Sequence, residues 1–561
     1  MGAVLRSLHR YPVKGMTGEE LPEAVLAPGA GLPLDRAFAL HLGAAPVTSG
    51  WISSEELMRL RQSAELSLYR GVSEGDGVRL TAPGGRELHV RPGEPFGSAR
   101  LVRPGAALWD WPDAALSIVN LDTVRALSEA AGVPLDPARF RANLYVSGLG
   151  AWRELALPGH RLRIGGAELE VTFPTERCRA TSVRPGSGVR DLNVPALLAT
   201  RFGHLYCGVY AKVVRGGRIA SGDALHDLGP GDGTPDARLA APGRPRYAEL
   251  IRRTDESPTV TTFTFRDPAA TRPGQHLRLH LTDEKGPLWR CYTLTGADSG
   301  ELSVSVKRTP GGRMSATLHT LPTGSRVLLS GPYGEEPTRL GSTRPLLLAV
   351  AGIGITPVLS LLRALPPERP VTVLNVVRDE TETPLWDEVI TLVGKLPHAE
   401  AHLIVGRPDP EQLTALIPQA TGEAYLCGPE GFVDLVRTTL LAAGVPPSAI
   451  TDERFYTPRE VPLTETEQLP PSPGPFAVHY TETGTRITWT PDSGTLLDAA
   501  EAVGLRPASA CRAGACGTCR HRVTGTVAHL GEPAVQLGPG EALLCCAVPV
   551  GDVEVHGREC R

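Results

Sequence analysis

Lysine is nearly missing from this chain: only five of its 57 basic residues are lysine, and the rest are arginine. Two of the five, Lys14 and Lys307, fall inside motifs. A large excess of either charge is also absent. The net charge is -4 and the sequence pI is about 6.5, which argues against a nucleic-acid surface. Residues 1–10 contain no apolar core of the signal-peptide kind, so a cytoplasmic location is expected. One uncharged run, 345–362, has the length of a membrane helix. Gly352, Gly354 and Pro357 break it, and it reads instead as a buried strand, a turn and a helix start, so no membrane span is expected. Ten cysteines in such a chain read as reduced thiols and not as a disulfide framework. The 561 residues suffice for three to five domains. Two Pro/Gly-rich stretches, 228–245 and 458–475, bury too little apolar surface to order themselves and read as linkers. There is no internal repeat.

The most specific stretch is Cys511-Arg512-Ala513-Gly514-Ala515-Cys516-Gly517-Thr518-Cys519, preceded by Ala510. Its thiols stand at C-x4-C-x2-C, and Cys545-Cys546 follows downstream. This is the plant-type [2Fe–2S] spacing, in which four thiolates hold two irons. Gly514 and Gly517 let the loop curl so that backbone N–H groups reach sulfur and tune the cluster. The alternative is a structural zinc knuckle. His521 is nearby, but the Cys511–Cys516 spacing is too wide for an ordinary zinc pair. Such a cluster moves one electron at a time, so the rest of the chain must supply donor and acceptor.

Residues 1–227 carry short alternating runs bounded by Gly and Pro, which predict a strand-rich barrel. One helix is expected over Leu121–Ala131, capped by Asn120 and stopped by Gly132. Cys178 lies between Arg177 and Arg179. A soft thiolate there suits a thiophilic metal, and flanking guanidinium groups favour the thiolate. A lone strand cysteine is otherwise a small core residue. Lys14, Arg36, Arg139 and Arg141 can make charge-assisted bonds to a phosphate. Four pieces then point one way: Tyr11-Pro12-Val13-Lys14-Gly15, Asp35-Arg36, Arg139-Phe140-Arg141-Ala142-Asn143, and Arg177-Cys178-Arg179-Ala180-Thr181-Ser182-Val183-Arg184-Pro185. Together they resemble the MOSC superfamily with its N-terminal barrel, which includes the mitochondrial amidoxime reducing component and its bacterial counterparts. The resemblance implies that Cys178 ligates molybdenum. It also implies that Lys14, Arg36, Arg139, Arg141 and Asn143 hold the molybdenum cofactor. Where the family often has Ser or Cys after the lysine, Gly15 stands here, and one side-chain contact is lost.

From residue 246 the pattern is that of a small antiparallel barrel, with alternating strands at 260–265 and 302–307. Arg290-Cys291-Tyr292-Thr293 and Gly311-Gly312-Arg313-Met314-Ser315 resemble the R-x-Y-[ST] and G-G-x-x-S flavin signatures of the ferredoxin–NADP reductase superfamily. Arg290 would meet a flavin phosphate, with Tyr292 and Thr293 on the isoalloxazine. Gly311, Gly312, Met314 and Ser315 would form the phosphate turn. Cys291 is expected to be a packed thiol. Gly331-Pro332-Tyr333-Gly334 favours FAD over FMN.

The apolar run 346–351 reads as a parallel strand covered on both faces. It flows into Gly352-Ile353-Gly354-Ile355-Thr356-Pro357, where Thr356 is the expected N-cap and Pro357 the first helical residue, with pyrophosphate at the helix start. That piece and Cys427-Gly428-Pro429 are similar to the nucleotide-binding motifs of the same superfamily, whose cysteine lies beside the nicotinamide. Strands at 372–377, 401–405 and 423–426 predict a doubly wound sheet. Asp379 would accept from a ribose hydroxyl, whereas Arg378 could take a 2′-phosphate. NADH is expected ahead of NADPH.

Strands at 477–480 and 486–490 and a helix at 496–502, ending at Gly504, match a plant-type ferredoxin of α+β (β-grasp) fold. Register against that family, with Pro549 four after Cys545, selects Cys545 as fourth ligand. Cys207, Cys546 and Cys560 are expected to be ordinary thiols.

The expected fold is multidomain. An N-terminal MOSC β-barrel domain (1–95) and a MOSC cofactor domain (96–227) precede a flavin β-barrel (246–340), an α/β nucleotide domain (341–457) and a ferredoxin (476–561). Hydride donors deliver two electrons together and a cluster accepts one, so a flavin must stand between them. The resemblance implies a self-sufficient enzyme that reduces amidoximes, hydroxylamines or N-hydroxylated bases. The competing reading is an electron-transfer reductase serving a separate oxygenase, its first segment a binding or sulfur-carrier module. A protein electron acceptor belongs to that second reading.

Overall fold

The computed structural model describes all residues except 1, 44–49, 51, 53–55, 106, 232–242, 335–339, 419–420, 454–473, 510 and 558–561. Most of both expected linkers, together with Ala510 and Cys560, lies outside the described residues. The chain folds as two compact units. One joins Met1–Ala241 to Arg459–Cys560, and the other is Pro242–Pro458.

In the first unit an eight-stranded sheet runs in the order Leu225–Pro230, His160–Ile164, Ala167–Glu176, Tyr206–Arg215, Leu116–Asn120, Leu144–Ser147, Val4–Arg10, Glu19–Leu21. Its one parallel pair, Leu116–Asn120 with Leu144–Ser147, is bridged by the helix Leu121–Ala131. That helix is the one expected. Asn120 accepts from the Asp122 N–H, and Gly132 closes it in a left-handed conformation. Apolar side chains from both halves of the segment, among them Leu5, Leu8, Leu144, Leu162 and Val209, form one core. An expected boundary at 95/96 does not describe this sheet. Val4–Arg10 pairs with Leu144–Ser147 because its inward Leu5 and Leu8 complete that core. Residues between them form two three-stranded sheets, Arg70–Glu74 with Gly77–Thr81 and Glu87–Val90, and Ala39–His41 with Ala99–Val102 and Pro95–Phe96.

The ferredoxin part of the same unit is a mixed five-stranded sheet crossed by the helix Leu496–Ala502. Thr495 and Asp498 bond reciprocally at the helix start as a capping box. The parallel pairing of Phe476–Tyr480 with Val553–Val555 brings the segment's two ends together.

The second unit begins with a closed six-stranded antiparallel barrel: Arg246–Ser257, Val260–Arg266, Glu301–Lys307, Gly286–Asp298, His276–Asp283, Arg326–Tyr333. A wholly parallel sheet follows, in the order Ala399–Val405, Val371–Val377, Leu346–Ala351, Glu423–Cys427, Ile450–Glu453. Leu346–Ala351 and Val371–Val377 are buried along their whole length, as strands covered on both faces must be. Each such Leu or Val adds about 1.5–3 kcal/mol of burial. The uncharged run is therefore strand, turn and helix. Among the described residues no helix is long and apolar enough to cross a membrane.

The helix after Gly354 starts differently from expectation. A 3-10 turn, Gly352–Ile355, leads into Thr356–Ala364, so Thr356 is already helical. Its hydroxyl donates to the Ile353 carbonyl at 3.1 Å and caps nothing. The extra turn moves the helix start upstream, and Pro357 sits within the first two helical positions.

Candidate functional site

In the second unit the nucleotide motifs meet through backbone contact. A Cβ at Gly354 would lie 2.4 Å from the Cys427 carbonyl oxygen, so only glycine lets the Gly352–Ile355 turn pack on Cys427-Gly428-Pro429. Burial pushes the Cys427 thiol well up. Asp379 is exposed just after Val371–Val377, beside exposed Arg378, and accepts the Thr381 N–H at 2.8 Å.

On the barrel, Arg290, Tyr292 and Thr293 lie along Gly286–Asp298, and Arg290 Nη1 donates to the Trp289 carbonyl at 2.7 Å. Burial raises the Tyr292 phenol. Gly311 and Gly312 lead into the helix Arg313–Thr320, which places a helix N-terminus at the motif, an arrangement that suits phosphate. Ser315 Oγ accepts the Thr309 N–H at 3.1 Å and donates to the Gly312 carbonyl at 3.1 Å. Met314 departs from its expected role as a phosphate-turn residue. Its side chain is buried in the barrel core with Leu277, Leu294 and Leu318, because it falls on the inward face of that helix. Cys291 is half-buried, and burial raises its thiol, in keeping with a packed residue.

In the first unit the loop thiols gather two by two. Cys511 and Cys516 interact directly, as do Cys519 and Cys545, and Cys546 also lies against Cys545. Thr518 N–H donates to Cys516 Sγ at 3.4 Å and Cys545 N–H to Cys519 Sγ at 3.5 Å. Two pairs of thiols, each with backbone donors, fit a cage for two irons.

Cys178 is half-buried at the end of Ala167–Glu176 and opens the 3-10 turn Arg179–Ser182. Thr181 fixes the turn: its N–H and hydroxyl donate to the Cys178 carbonyl at 3.0 and 2.9 Å. The flanking Arg177 does not serve the thiol. Its Nε donates to the Cys207 carbonyl at 2.7 Å and its Nη1 to the Phe140 carbonyl at 3.1 Å, so two of the three guanidinium nitrogens are spent on buried backbone. Beneath it, burial pushes the Cys207 thiol up to about 12, as an inert packed residue requires.

The expected cofactor-holding residues separate into two groups. Lys14 is buried, and its Nζ donates to the Leu108 carbonyl at 2.8 Å and to Asp110 at 2.6 Å. Arg36 and Arg141 both stack on the Tyr11 ring, and both act electrostatically on Asp110. The Lys14 ammonium, followed by Arg36 and Arg141, holds the Asp110 carboxyl far below the usual range although the side chain is open to solvent. Asp110 thus faces three cations, of which Arg36 is also paired directly with buried Asp35. Arg139 pairs with Asp191 at 2.7 Å and donates to the Ser182 carbonyl, bracing the Cys178 turn from behind. Asn143 is committed to backbone. Its Oδ1 accepts from Ser117 N–H and Oγ, each at 3.0 Å, and its Nδ2 donates to the His9 carbonyl. Gly15 has φ +90, and a Cβ there would lie 2.8 Å from Leu66 Cδ1, so conformation and packing exclude the family's larger residues.

Buried nitrogens without a partner lie on three of these cations, as Arg139 Nε, Arg141 Nη2 and Arg177 Nη2, and on Arg61, as Nε, which acts electrostatically on Cys178 and Asp110. Unanswered donors on buried cations fit a multiply charged anion such as a phosphate ester. The residues present therefore fit a phosphorylated, thiolate-bound cofactor.

The ferredoxin loop lies against this turn. The Arg179 N–H donates to the Cys511 carbonyl at 2.9 Å, and Asn193 Nδ2 donates to the Ala513 carbonyl at 3.1 Å. Ala196, Cys511 and Ala515 are buried together, with Ala199, Leu205 and Cys516 packed around them. Sequence reasoning missed Arg61, Asp110 and Asn193. Only Asn193 had a signal, since Asn193-Val194-Pro195 is an N-cap followed by an early proline. Nothing local marks the other two.

Comparison with known proteins agrees with this geometry. The MOSC domain family matches residues 88–226 and the MOSC N-terminal beta barrel domain residues 2–119. The oxidoreductase FAD-binding domain matches 247–336 and the 2Fe-2S iron-sulfur cluster binding domain 479–550. The ferredoxin reductase component of 3-ketosteroid-9-alpha-monooxygenase from Mycolicibacterium smegmatis is 33% identical over 340 residues, 55% of this chain and 95% of that protein. The chain belongs to the flavin and [2Fe–2S] reductase family, with a MOSC domain joined to it. The reductase subunit Stc4 of stachydrine N-demethylase from Rhizobium meliloti is 29% identical to this MOSC–reductase fusion, over 55% of the fusion and 95% of the subunit. Among solved structures, phthalate dioxygenase reductase is similar at 22% identity and a TM-score of 0.32, over 55% of the fusion and 97% of that chain. The MOSC–reductase fusion is an oxidoreductase that carries electrons from NAD(P)H through FAD to a [2Fe–2S] cluster.

Proposed function

We propose that the fusion is a self-sufficient NADH-dependent molybdenum enzyme that reduces N-hydroxylated compounds such as amidoximes, hydroxylamines and N-hydroxylated bases. The observation that carries this reading is the 2.9 Å hydrogen bond from Arg179, next to Cys178, to the carbonyl of the cluster ligand Cys511. The face of the cluster loop nearest Cys511 is buried on the MOSC domain, where a ferredoxin serving an outside partner would keep it open.

When bound, a molybdenum–pterin centre supplies oxygen-atom removal from an N–OH group, completed by two electrons and two protons to give N–H and water. The residues of this chain set the stage for it. Cys178 offers a thiolate on a turn that Thr181 holds fixed and Arg139 braces from behind. Lys14, Arg36 and Arg141 present positive charge for a phosphate, and Asp110 keeps those cations from repelling one another. Asn143 and Arg177 build the surrounding backbone.

In the other segments, Asp379 selects NADH by accepting from its ribose. Gly352, Gly354 and Thr356 with Cys427, Gly428 and Pro429 receive the nicotinamide nucleotide. Arg290, Tyr292, Thr293 and Ser315 hold FAD. Cys511, Cys516, Cys519 and Cys545 ligate the irons.

A metal count on the purified protein tests the reading. One molybdenum per two irons and one flavin supports it. Two irons and a flavin without molybdenum, in protein made by cells supplied with molybdate, would mean a carrier for a separate oxygenase, as in the relatives that are oxygenase reductase components.

A further inference from the structure

We infer that the contact between the cluster loop and the Cys178 turn is a built-in electron-transfer junction, with Asn193 as its positioning residue. Its use in turnover rests on the proposed function, but the docking itself does not. Asn193 spends both ends of its amide. Its Oδ1 accepts the Ala196 N–H at 2.9 Å and caps the short helix Val194–Leu197, while its Nδ2 donates to the Ala513 carbonyl at 3.1 Å. The capped helix supplies Ala196, and the segment that follows supplies Ala199; Leu205 and the loop's Ala513 and Ala515 complete the patch. Small residues allow close backbone approach, and the approach is what brings the Arg179 N–H to the Cys511 carbonyl.

The route this creates is continuous. It runs from Cys511 Sγ through that residue's own backbone to its carbonyl, across one 2.9 Å hydrogen bond to Arg179 N, and back along Cys178 to its Sγ. One electron passes per reduction of the cluster, and two passages deliver the pair that one NADH gives the flavin as hydride. A second feature crosses the same junction. Arg512 pairs with Glu501 inside the ferredoxin, and the Arg61 guanidinium of the MOSC domain lies within electrostatic reach of Arg512, Glu501 and Cys178. The Arg61 cation therefore lies between the cluster side and the thiol side of the junction. Docking also shields the Cys511 side of the cluster, so an external one-electron acceptor meets a partly closed face.

Asn193→Asp separates docking from folding. Aspartate is as good an N-cap as asparagine, so the helix is kept, but the donor to Ala513 is replaced by a carboxylate facing a carbonyl. In the full-length holoprotein, the ratio of NADH–cytochrome c to NADH–ferricyanide rate should rise about fivefold, the factor that one hydrogen bond of ~1 kcal/mol sets on the docking equilibrium. NADH-driven benzamidoxime reduction should fall by a similar factor, while reduction driven by dithionite and methyl viologen, which can bypass the cluster, should hold. An unchanged cytochrome c ratio overturns the junction. A raised ratio with no benzamidoxime reduction in the unaltered protein leaves the docking standing and defeats the molybdenum reading instead. Amide exchange on the unaltered protein provides a check that needs no variant. The Arg179 amide should be protected, and exchange at the rate of an open loop would also overturn the proposal.

Discussion

The backbone N–H of Gly514 donates to Cys545 Sγ at 3.4 Å, while the adjacent Cys546 Sγ donates to the Leu543 carbonyl. Donors aimed at a sulfur stabilise its thiolate, and a thiol spent as a donor is not poised to ligate. Cys545→Ser should therefore bleach the visible iron–sulfur absorption and lower iron to well under half, since a hard oxygen weakens an all-sulfur site. Cys546→Ser should keep both. Loss of iron from the Cys546 variant alone would shift the ligand by one residue.

Cys178→Ala tests where the final chemistry occurs. The variant should retain flavin, iron and the NADH–ferricyanide rate, and lose benzamidoxime reduction by at least a hundredfold. Full retention of N-hydroxyl reduction would place the reaction elsewhere in the molecule. Loss of every activity would make the cysteine structural.

Asp379 is solvent-exposed and next to Arg378, and in the proposed reading the two sort the dinucleotides by charge. Asp379→Asn should raise KM for NADH several-fold with little change in kcat, because a binding contact is lost and no transition-state contact is. If the unaltered protein prefers NADPH, Arg378 is the residue that selects.

Asn143 joins three backbone strands through one side chain. Asn143→Ala leaves the Ser117 N–H and the His9 carbonyl buried without partners, and should destabilise the MOSC domain by about 1–3 kcal/mol. Chemical unfolding of cofactor-free protein measures this directly. An unchanged midpoint there, with molybdenum loss in holoprotein, would return Asn143 to a purely cofactor-holding role.

Glu154 is fully buried, and that burial raises its carboxyl above the ordinary 4.5, although Asn120 and Thr123 donate to it. The folded protein thus holds this proton more tightly than the unfolded chain. Its contribution to stability is complete below the unfolded pKa and is lost as pH rises through the folded one. Glu154→Gln removes that slope, so the stability difference between variant and parent should shift in the variant's favour from about pH 4.5 upward. A difference that stays constant with pH would contradict the assignment.

The parts of this molecule are legible in short runs of its amino acids. The cysteine spacing of one loop, the Asn120–Gly132 bracket of one helix, the buried strand Leu346–Ala351 and the glycine turn after it are each written within a few neighbouring residues. Local chemistry and hydrophobic period suffice to read features of that kind. What each charged side chain faces is set by packing between distant segments. Arg177 and Asn143 sit in motifs that suggest a cofactor, yet burial obliges them to satisfy backbone groups from distant strands. Met314 was taken inward by the phase of its helix. Asp110, unmarked in the sequence, became a counter-charge to Lys14, Arg141 and, together with Asp35, Arg36. The pairing of Arg179 with Cys511 depends on packing between segments at opposite ends of the chain, and no local pattern encodes a contact of that range.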